Sequence, residues 1–350
     1  MTTHEHGAAQ QARREQVAAL LAHEIDAEQA ARAWDLIAGA QRIVLLAHEK
    51  PDPDALGSAL GLALALEPLG KQCVVACADP MPANYTFLPT TIPVVTKLPA
   101  EDFDLVIALD AGEFPRYGGL YWSHQAFFDR ATTLNFDHHV TSRGVGACAI
   151  IDPTSAATAE LLVLFLLNRG IAIGRDAAQC LLAGIITDTR SFEFDATTDR
   201  TLLAGAYLVA CGAVPDQIIK PMYRMKPFAK GKLWGRALAS LESAADGRIV
   251  WASIRQADVA AVGATPDMDD GLPSYLVDTD GVALAALFRE TADGSTTRVS
   301  VRTVAPYDAS AICAQFGGGG HPRASGCTLR MGIEEAQRVF IPALEAALKG

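Results

Sequence analysis

The chain has no Cys-x-x-Cys pair, no long apolar run and no excess of basic residues, and each absence removes a class of function. Its seven cysteines, Cys73, Cys77, Cys148, Cys180, Cys211, Cys313 and Cys327, are an odd set scattered through apolar surroundings. They read as buried free thiols rather than a disulfide framework or a zinc cluster. The most hydrophobic stretch, Leu161 to Leu167, is too short to span a bilayer and runs into Asn168 and Arg169. The N-terminus, with His4, Glu5, His6 and Gln10-Gln11, lacks the apolar core of a secretion signal, so a cytoplasmic protein without membrane contact is expected. A formal net charge of −11 argues against sequence-independent binding to long duplex nucleic acid, which takes an extended basic surface. A small phosphate ligand held in a local pocket stays open.

What is present is a chain of 350 residues, half of them hydrophobic, enough for two domains with buried cores. Residues 1 to about 12 read as a disordered tail, and Arg13–Ala38 as one packing helix or two short ones. From Gln41 short apolar runs alternate with helical segments. Strands are expected at Ile43–Ala47, Cys73–Ala76, Leu105–Leu109 and Thr133–Phe136, and helices at Ala55–Leu66, Ala156–Asn168, Arg175–Ile186 and Asp199–Cys211. Runs this apolar predict strands buried on both faces, hence an α/β fold with a largely parallel sheet and crossover helices.

Pro215, Pro221 and Pro227 then punctuate a connector that ends in a helix, Ala229–Ala244. Beyond it, a strand at Arg248–Ile254, a hairpin of Val282–Arg289 with Thr297–Arg302 across Ala292-Asp293-Gly294, a helix Asp308–Gln315, a strand near Cys327–Arg330 and a helix from Ile333 to Leu348 predict a second, smaller α/β domain. The expected divisions are residues 1–40 (tail and helix), 41–212 (parallel-sheet domain), 213–245 (connector) and 246–350 (second domain).

Chemistry gathers where strands end. After Ile43–Ala47 comes His48-Glu49-Lys50-Pro51-Asp52-Pro53-Asp54. After Leu105–Leu109 comes Asp110-Ala111-Gly112, after Thr133–Phe136 comes Asp137-His138-His139, and near the end of a later apolar helix comes Thr187-Asp188-Thr189. A single Asp at such a place is most simply a turn or cap residue. Here His48, Asp52, Asp54, Asp110, His138 and Asp188 all fall at the ends of elements of one domain, along the edge where open α/β sheets bind ligands. Carboxylates and imidazoles without thiolates suit two divalent cations such as Mn²⁺, with Mg²⁺ or Co²⁺ alternatives. Such a pair neutralises the clustered carboxylates, activates water and implies hydrolysis at phosphorus. Of the consecutive Asp137, His138 and His139, one histidine is expected to be a ligand, the other to face substrate, and Asp137 to orient an imidazole.

In the second domain, the alternation of Thr297–Arg302 puts Val299 and Val301 on one face and Arg298, Ser300 and Arg302 on the other. The run Gly317-Gly318-Gly319-Gly320-His321, followed by Pro322 and Arg323, is either a flexible linker or a loop whose bare amides approach an anion. Its position after the polar strand face favours the second reading, with Arg302 and His321 as cationic contacts.

These motifs, in order and spacing, resemble the DHH phosphoesterases with the DHH-associated C-terminal domain: His48-x-x-x-Asp52-x-Asp54-Ala55-x-Gly57-Ser58, Asp110 with Gly112, Asp137-His138-His139, Gly184-Ile185-Ile186-Thr187-Asp188-Thr189, and Gly317–His321 with Gly326. The resemblance covers nearly all of the chain beyond the N-terminal helix, and its nearest members are of the nanoRNase and pAp-phosphatase type. It implies that His48, Asp52 and Asp110 hold one cation and that Asp54, Asp110, His138 and Asp188 hold the other, with Asp110 shared. It further implies that His139 contacts the scissile phosphate, and that Arg302 and Gly317–His321, including Gly318, Gly319 and Gly320, fix the substrate's far end.

The expected substrates are short RNA, dinucleotides and a nucleotide phosphate, acted on in a cleft between the two domains; a homodimer is compatible with this reading. Arg190 stands where many relatives carry glycine. The alternatives are a phosphodiesterase for cyclic or linear dinucleotide messengers, a pyrophosphatase or exopolyphosphatase, and a non-catalytic nucleotide-binding module. A polyphosphate enzyme needs more cations than Arg298, Arg302, His321 and Arg323 provide, and a binding module has no need of a full ligand set.

Overall fold

Arg42–Ala47 forms a strand, β1, because it can bury an apolar face on each side of a sheet: Ile43, Leu45 and Ala47 enter one core, Val44 and Leu46 another. Each fully buried Leu or Ile of this kind is worth about 1.5–3 kcal/mol. The structure is a computed structural model that describes residues 3–89, 91–99, 102–292 and 294–349. The side chains of residues 3–10, His4 and His6 among them, and the turn residue Asp293 lie outside the described residues. The chain divides into two compact units, residues 1–225 and 226–350.

In the first unit, α1 (Thr3–Leu21) and α2 (Ala27–Gly39) precede β1, followed by α3 (Pro53–Leu66), β2 (Gln72–Cys77), β3 (Val94–Val95), β4 (Leu105–Leu109), α4 (Gly118–Ser123), α5 (Gln125–Phe128), β5 (Thr133–Asp137) and β6 (Cys148–Ile151). Then come α6 (Thr158–Asn168), α7 (Arg175–Asp188), α8 (Asp199–Ala210) and α9 (Pro215–Ile219). The six strands run in the order β3-β2-β1-β4-β5-β6, every pairing parallel. Chain order reverses between β1 and β4, and in open α/β sheets a crevice forms at the carboxyl ends of strands that flank such a reversal. His48 and Asp110 follow these two strands directly. One face of the sheet is covered by apolar residues of α3, α6 and α7, the other by Tyr117, Leu120, Phe127 and Phe128 around α4 and α5.

The second unit starts with α10 (Phe228–Ala239) and continues with β7 (Glu242–Ala244), β8 (Ile249–Ile254), α11 (Gln256–Val262), α12 (Leu272–Val277), β9 (Leu284–Glu290), β10 (Thr297–Thr303), α13 (Ala309–Ala314), β11 (Gly319–His321), β12 (Ala324–Leu329) and α14 (Ile333–Lys349). Its sheet order is β11-β12-β10-β9-β8-β7, antiparallel except for β8 with β9. Val299 and Val301 of β10 pack with Phe340 and Leu344 of α14, while Arg298, Ser300 and Arg302 alternate with them on a more exposed face.

The fold departs from expectation in four places. The first helix begins at Thr3, so the segment expected as a disordered tail is largely helical; its Ala, Gln, Arg and Glu content favours helix even where no apolar stripe marks it. The helix expected over 229–244 ends at Ala239, and 242–244 pair as β7 against β8. Three of the residues expected as a glycine loop, Gly319–His321, form an edge strand on β12. The segment expected as a connector, 213–245, is divided at 225/226, with α9 in the first unit and α10 in the second. Among elements the sequence did not single out, β3 and β6 are edge strands of two and four residues, too short to carry a periodic signal.

Candidate metal centre

The turn after β1 is built by local rules. Asp52 caps α3, its Oδ1 accepting from the Ala55 amide at 2.9 Å, and Pro53 occupies the first helical position, where a missing N–H costs nothing. This start leaves Asp54 in the first turn of α3 with no exposed surface. His48 is buried, and its Nδ1 meets the Glu49 carbonyl at 2.8 Å. The other ring nitrogen, Nε2, therefore faces Asp52 Oδ2 at 3.6 Å and Asp110 Oδ2 at 3.4 Å.

Asp110 leaves β4 with φ of 58°, a left-handed conformation that Asp tolerates better than most residues and that often marks functional positions. Its two oxygens look in different directions: Oδ2 toward His48, and Oδ1 toward His138 Nε2 at 3.6 Å. His138 Nδ1 meets the Ser155 carbonyl at 3.1 Å, which points Nε2 at Asp188 Oδ2 (3.2 Å) and Asp54 Oδ2 (4.0 Å). Asp137, buried at the end of β5, accepts from the amides of both histidines and holds His139 Nδ1 at 2.7 Å. The three consecutive residues thus divide their work: Asp137 orients, His138 points into the carboxylates, and His139 stays half exposed.

Among the described residues three groups result, His48–Asp52–Asp110, Asp54–His138–Asp188 and Asp110–His138–His139, each with ligand atoms within 4.8 Å of one another. Close approach between α3 and α7 makes the second group possible. A Cβ on Gly184 would lie 2.3 Å from Asp54 Oδ1, so only glycine lets α7 pass near enough to bring Asp188 alongside.

The electrostatics show what the cluster lacks. Burial opposes charge on His48, yet Asp110 and Asp52 outweigh it and push its pKa up to about 10. His138 likewise rises to about 10, burial being overcome by Asp188, Asp54 and Asp110. Burial drives the Asp54 carboxyl well above the usual range, with Asp110 and Asp188 adding repulsion. A cluster that pulls protons onto two imidazoles and a carboxylate is short of positive charge, which divalent cations supply while displacing those protons. The geometry agrees: His138 Nε2 is buried among carboxylates and, though 3.2 Å from Asp188 Oδ2, makes no well-aligned hydrogen bond in the described structure. An imidazole nitrogen held so, with its other nitrogen engaged by a carbonyl, fits a cation.

In the second unit, Ser300 and Arg302 are half-buried on the polar face of β10, and Gly319, Gly320 and His321 are exposed on the edge strand. Gly318 has a packing reason, since a Cβ there would lie 2.3 Å from the Gly326 carbonyl oxygen. Arg323, counted among the cations from sequence, donates to the carbonyls of Val304 (2.9 Å) and Tyr307, so its guanidinium braces a turn.

Sequence reasoning missed Thr158. Its amide donates to Asp54 Oδ2 at 2.7 Å and its hydroxyl to Asp110 Oδ1 at 2.8 Å, tying one carboxylate of each strand-end motif to the start of α6. A Thr at a helix start is ordinary, and no sequence signal separated it from a simple cap.

Residues 42–185 match the DHH family, N-terminal domain, and residues 253–350 match the DHHA1 domain. The bifunctional oligoribonuclease and PAP phosphatase NrnA of Thermus thermophilus is 31% identical over 312 residues, covering 87% of this chain and 90% of that protein. The cyclic-di-AMP phosphodiesterase PdeA of Listeria monocytogenes is 25% identical over 336 residues, 90% of this chain and 49% of that protein. In structure, the chain resembles an exopolyphosphatase-related protein from Bacteroides fragilis with a TM-score of 0.79, covering 92% of this chain and 97% of that one. At 22% identity that likeness is one of fold.

Proposed function

The chain belongs to the DHH family, and from that premise we propose that it is a dimetal phosphoesterase that hydrolyses short oligoribonucleotides, dinucleotides included, to mononucleotides and dephosphorylates 3′-phosphoadenosine 5′-phosphate. The observation that carries the dimetal reading is Asp110, whose Oδ2 faces His48 Nε2 at 3.4 Å and whose Oδ1 faces His138 Nε2 at 3.6 Å. His48, Asp52 and Asp110 would hold one divalent cation, and Asp54, Asp110, His138 and Asp188 the other, with Mn²⁺ the ion we assign. When bound, the two cations supply a water of lowered pKa and positive charge opposite the oxygens exchanged at phosphorus.

The chain's own residues supply the rest. Asp137 fixes the His139 ring through Nδ1, so that Nε2 is the nitrogen left to donate to an oxygen of the scissile phosphate. Thr158 keeps the Asp110 and Asp54 carboxylates from rotating. Ser300, Arg302, Gly318, Gly319, Gly320 and His321 are assigned to the substrate's remaining nucleotide, Arg302 and His321 through its phosphate. With Arg323 engaged in bracing a turn, the second unit offers too few cations for a polyphosphate chain, which weighs against the pyrophosphatase reading.

A panel of Mn²⁺-dependent reactions tests the proposal: a dinucleotide, 3′-phosphoadenosine 5′-phosphate, cyclic-di-AMP and a twenty-nucleotide RNA. The expected kcat/KM for the dinucleotide exceeds that for the long RNA by roughly 10-fold or more, the value of one charge-assisted contact to a substrate end. Equal turnover of dinucleotide and twenty-mer would sink the length preference. Turnover of the cyclic dinucleotide above all others would replace this reading with the messenger phosphodiesterase.

A further inference from the structure

Behind the metal centre lies a second charged cluster that the chemistry above does not use. Arg200, the second residue of α8, is largely buried and directs its guanidinium at the segment that joins β6 to α6. Its Nε donates to Glu160 Oε1 at 2.7 Å, and a terminal nitrogen reaches Asp152 Oδ2 and Ser155 Oγ, both at 3.0 Å. Glu160 has no exposed surface, and its second oxygen accepts from the Ala156 amide (3.0 Å) and the Thr201 hydroxyl (2.8 Å). Asp152 also accepts from the Ser155 hydroxyl at 2.8 Å and the Thr154 hydroxyl at 2.6 Å. An ion pair with Glu160 fully buried and Arg200 and Asp152 mostly so contributes little net stability, because desolvation offsets its attraction; what it fixes is geometry.

The same segment touches the metal centre with its other side. The Ser155 carbonyl accepts from His138 Nδ1 at 3.1 Å, and the Thr158 and Ala159 amides donate to the two oxygens of Asp54 at 2.7 and 2.9 Å. The Thr158 hydroxyl donates to Asp110 at 2.8 Å. All four contacts go to Asp54, His138 and Asp110, three of the four residues assigned to the second cation, and the contact to Asp110 is on Oδ1, the oxygen that faces His138 rather than His48. His48 and Asp52 are held from elsewhere, by the Glu49 carbonyl and the Ala55 amide.

We propose that Arg200, with Glu160 and Asp152, is a positioning device for that second cation. It holds the segment whose carbonyl selects the His138 tautomer and whose amides aim Asp54, and so sets the affinity of one of the two sites without touching ion or substrate. The proposal rests on the dimetal reading above. Partners of this kind, one shell out from the ligands, typically change metal affinity 10- to 100-fold.

The test is a calorimetric Mn²⁺ titration of the full-length protein, with Asp188→Ala to identify the step that belongs to the second cation. Wild type is expected to bind two ions per chain. Arg200→Ala is expected to weaken the Asp188-dependent step by roughly 10- to 100-fold and to leave the other step unchanged. Arg200→Lys keeps the charge but not the fork, and is expected to recover only part of the loss. Equal weakening of both steps, or no change in either, in a variant with wild-type circular dichroism overturns the proposal; where Arg200→Ala does not fold, the Arg200→Lys isotherm decides by the same criterion. A wild type that binds fewer than two ions overturns the dimetal reading itself, whereas two normal steps in wild type and variant alike overturn only the positioning role.

Discussion

The two units solve different problems with different sheets. In the first, every strand pairing is parallel, helices cover both faces, and the polar groups that matter gather at strand ends and on α3 and α7, with His48, Asp54, Asp110 and Asp137 buried. In the second, an antiparallel ladder leaves one face of β10 and the edge strand β11 accessible, with polar groups along the strands rather than at their ends. The contrast teaches where each kind of function can live. Holding two cations takes carboxylates kept close against their own repulsion, which only a rigid, buried frame sustains. Recognising one end of a flexible anion takes donors on a surface that the ligand can reach. On this view, catalysis belongs to the first unit and substrate choice to the second.

The largest expected effect strikes the shared ligand. Asp110→Ala is expected to lower kcat by roughly 10³-fold or more, since the proposal has this carboxylate, whose oxygens face His48 and His138, serve both cations; hydrolysis at the wild-type rate would refute the assignment. Next is Gly184→Ala, which forces a methyl group against Asp54. Overpacking of this kind costs about 1–3 kcal/mol, so a lower melting temperature and loss of the Asp188-dependent Mn²⁺ step are expected together, and a variant that keeps both would show that α3 and α7 have room to spare.

The second unit should respond differently. Arg302→Ala is expected to raise KM about 10-fold with a much smaller change in kcat, because the lost contact is made equally in ground and transition states. A fall in kcat alone would break the division of labour between the units. The smallest effect concerns Arg190, whose φ of 49° is left-handed and whose partner Glu193, at 3.4 Å, is exposed. Arg190→Gly is expected to stabilise the protein by about 1 kcal/mol, visible as a rise of roughly 2–4 °C in melting temperature. A drop would mean that the Arg190 side chain contributes more than the strain it carries.

Much of this was legible beforehand because the first unit's logic is local. Strands buried on both faces must be apolar throughout, and a strand that ends in a ligand-bearing turn shows both features within one short stretch, as at Ile43–Asp54. The edge strands β3 and β6 were not legible, being too short for periodicity. Nor was β11, since a glycine run carries no β signal and pairs only because β12 lies beside it with Gly326 opposite Gly319. Arg323 reads from sequence as a cation for ligand; the turn at Val304–Tyr307 claims it. Thr158 and Arg200 were invisible for a different reason, as each acts through partners distant in sequence.

By itself the sequence determined the α/β character of the chain, the residue types at the ends of its strands and the kind of ion those residues suit, because side-chain chemistry and hydrophobic period are properties of short segments. Tertiary structure decided which oxygen of Asp110 faces which histidine, which nitrogen of His138 points into the carboxylates, and that the segment 152–160 links the Arg200 ion pair to the candidate metal centre. Those are matters of distance between groups up to 105 residues apart, settled only when the crossovers close and the helices pack.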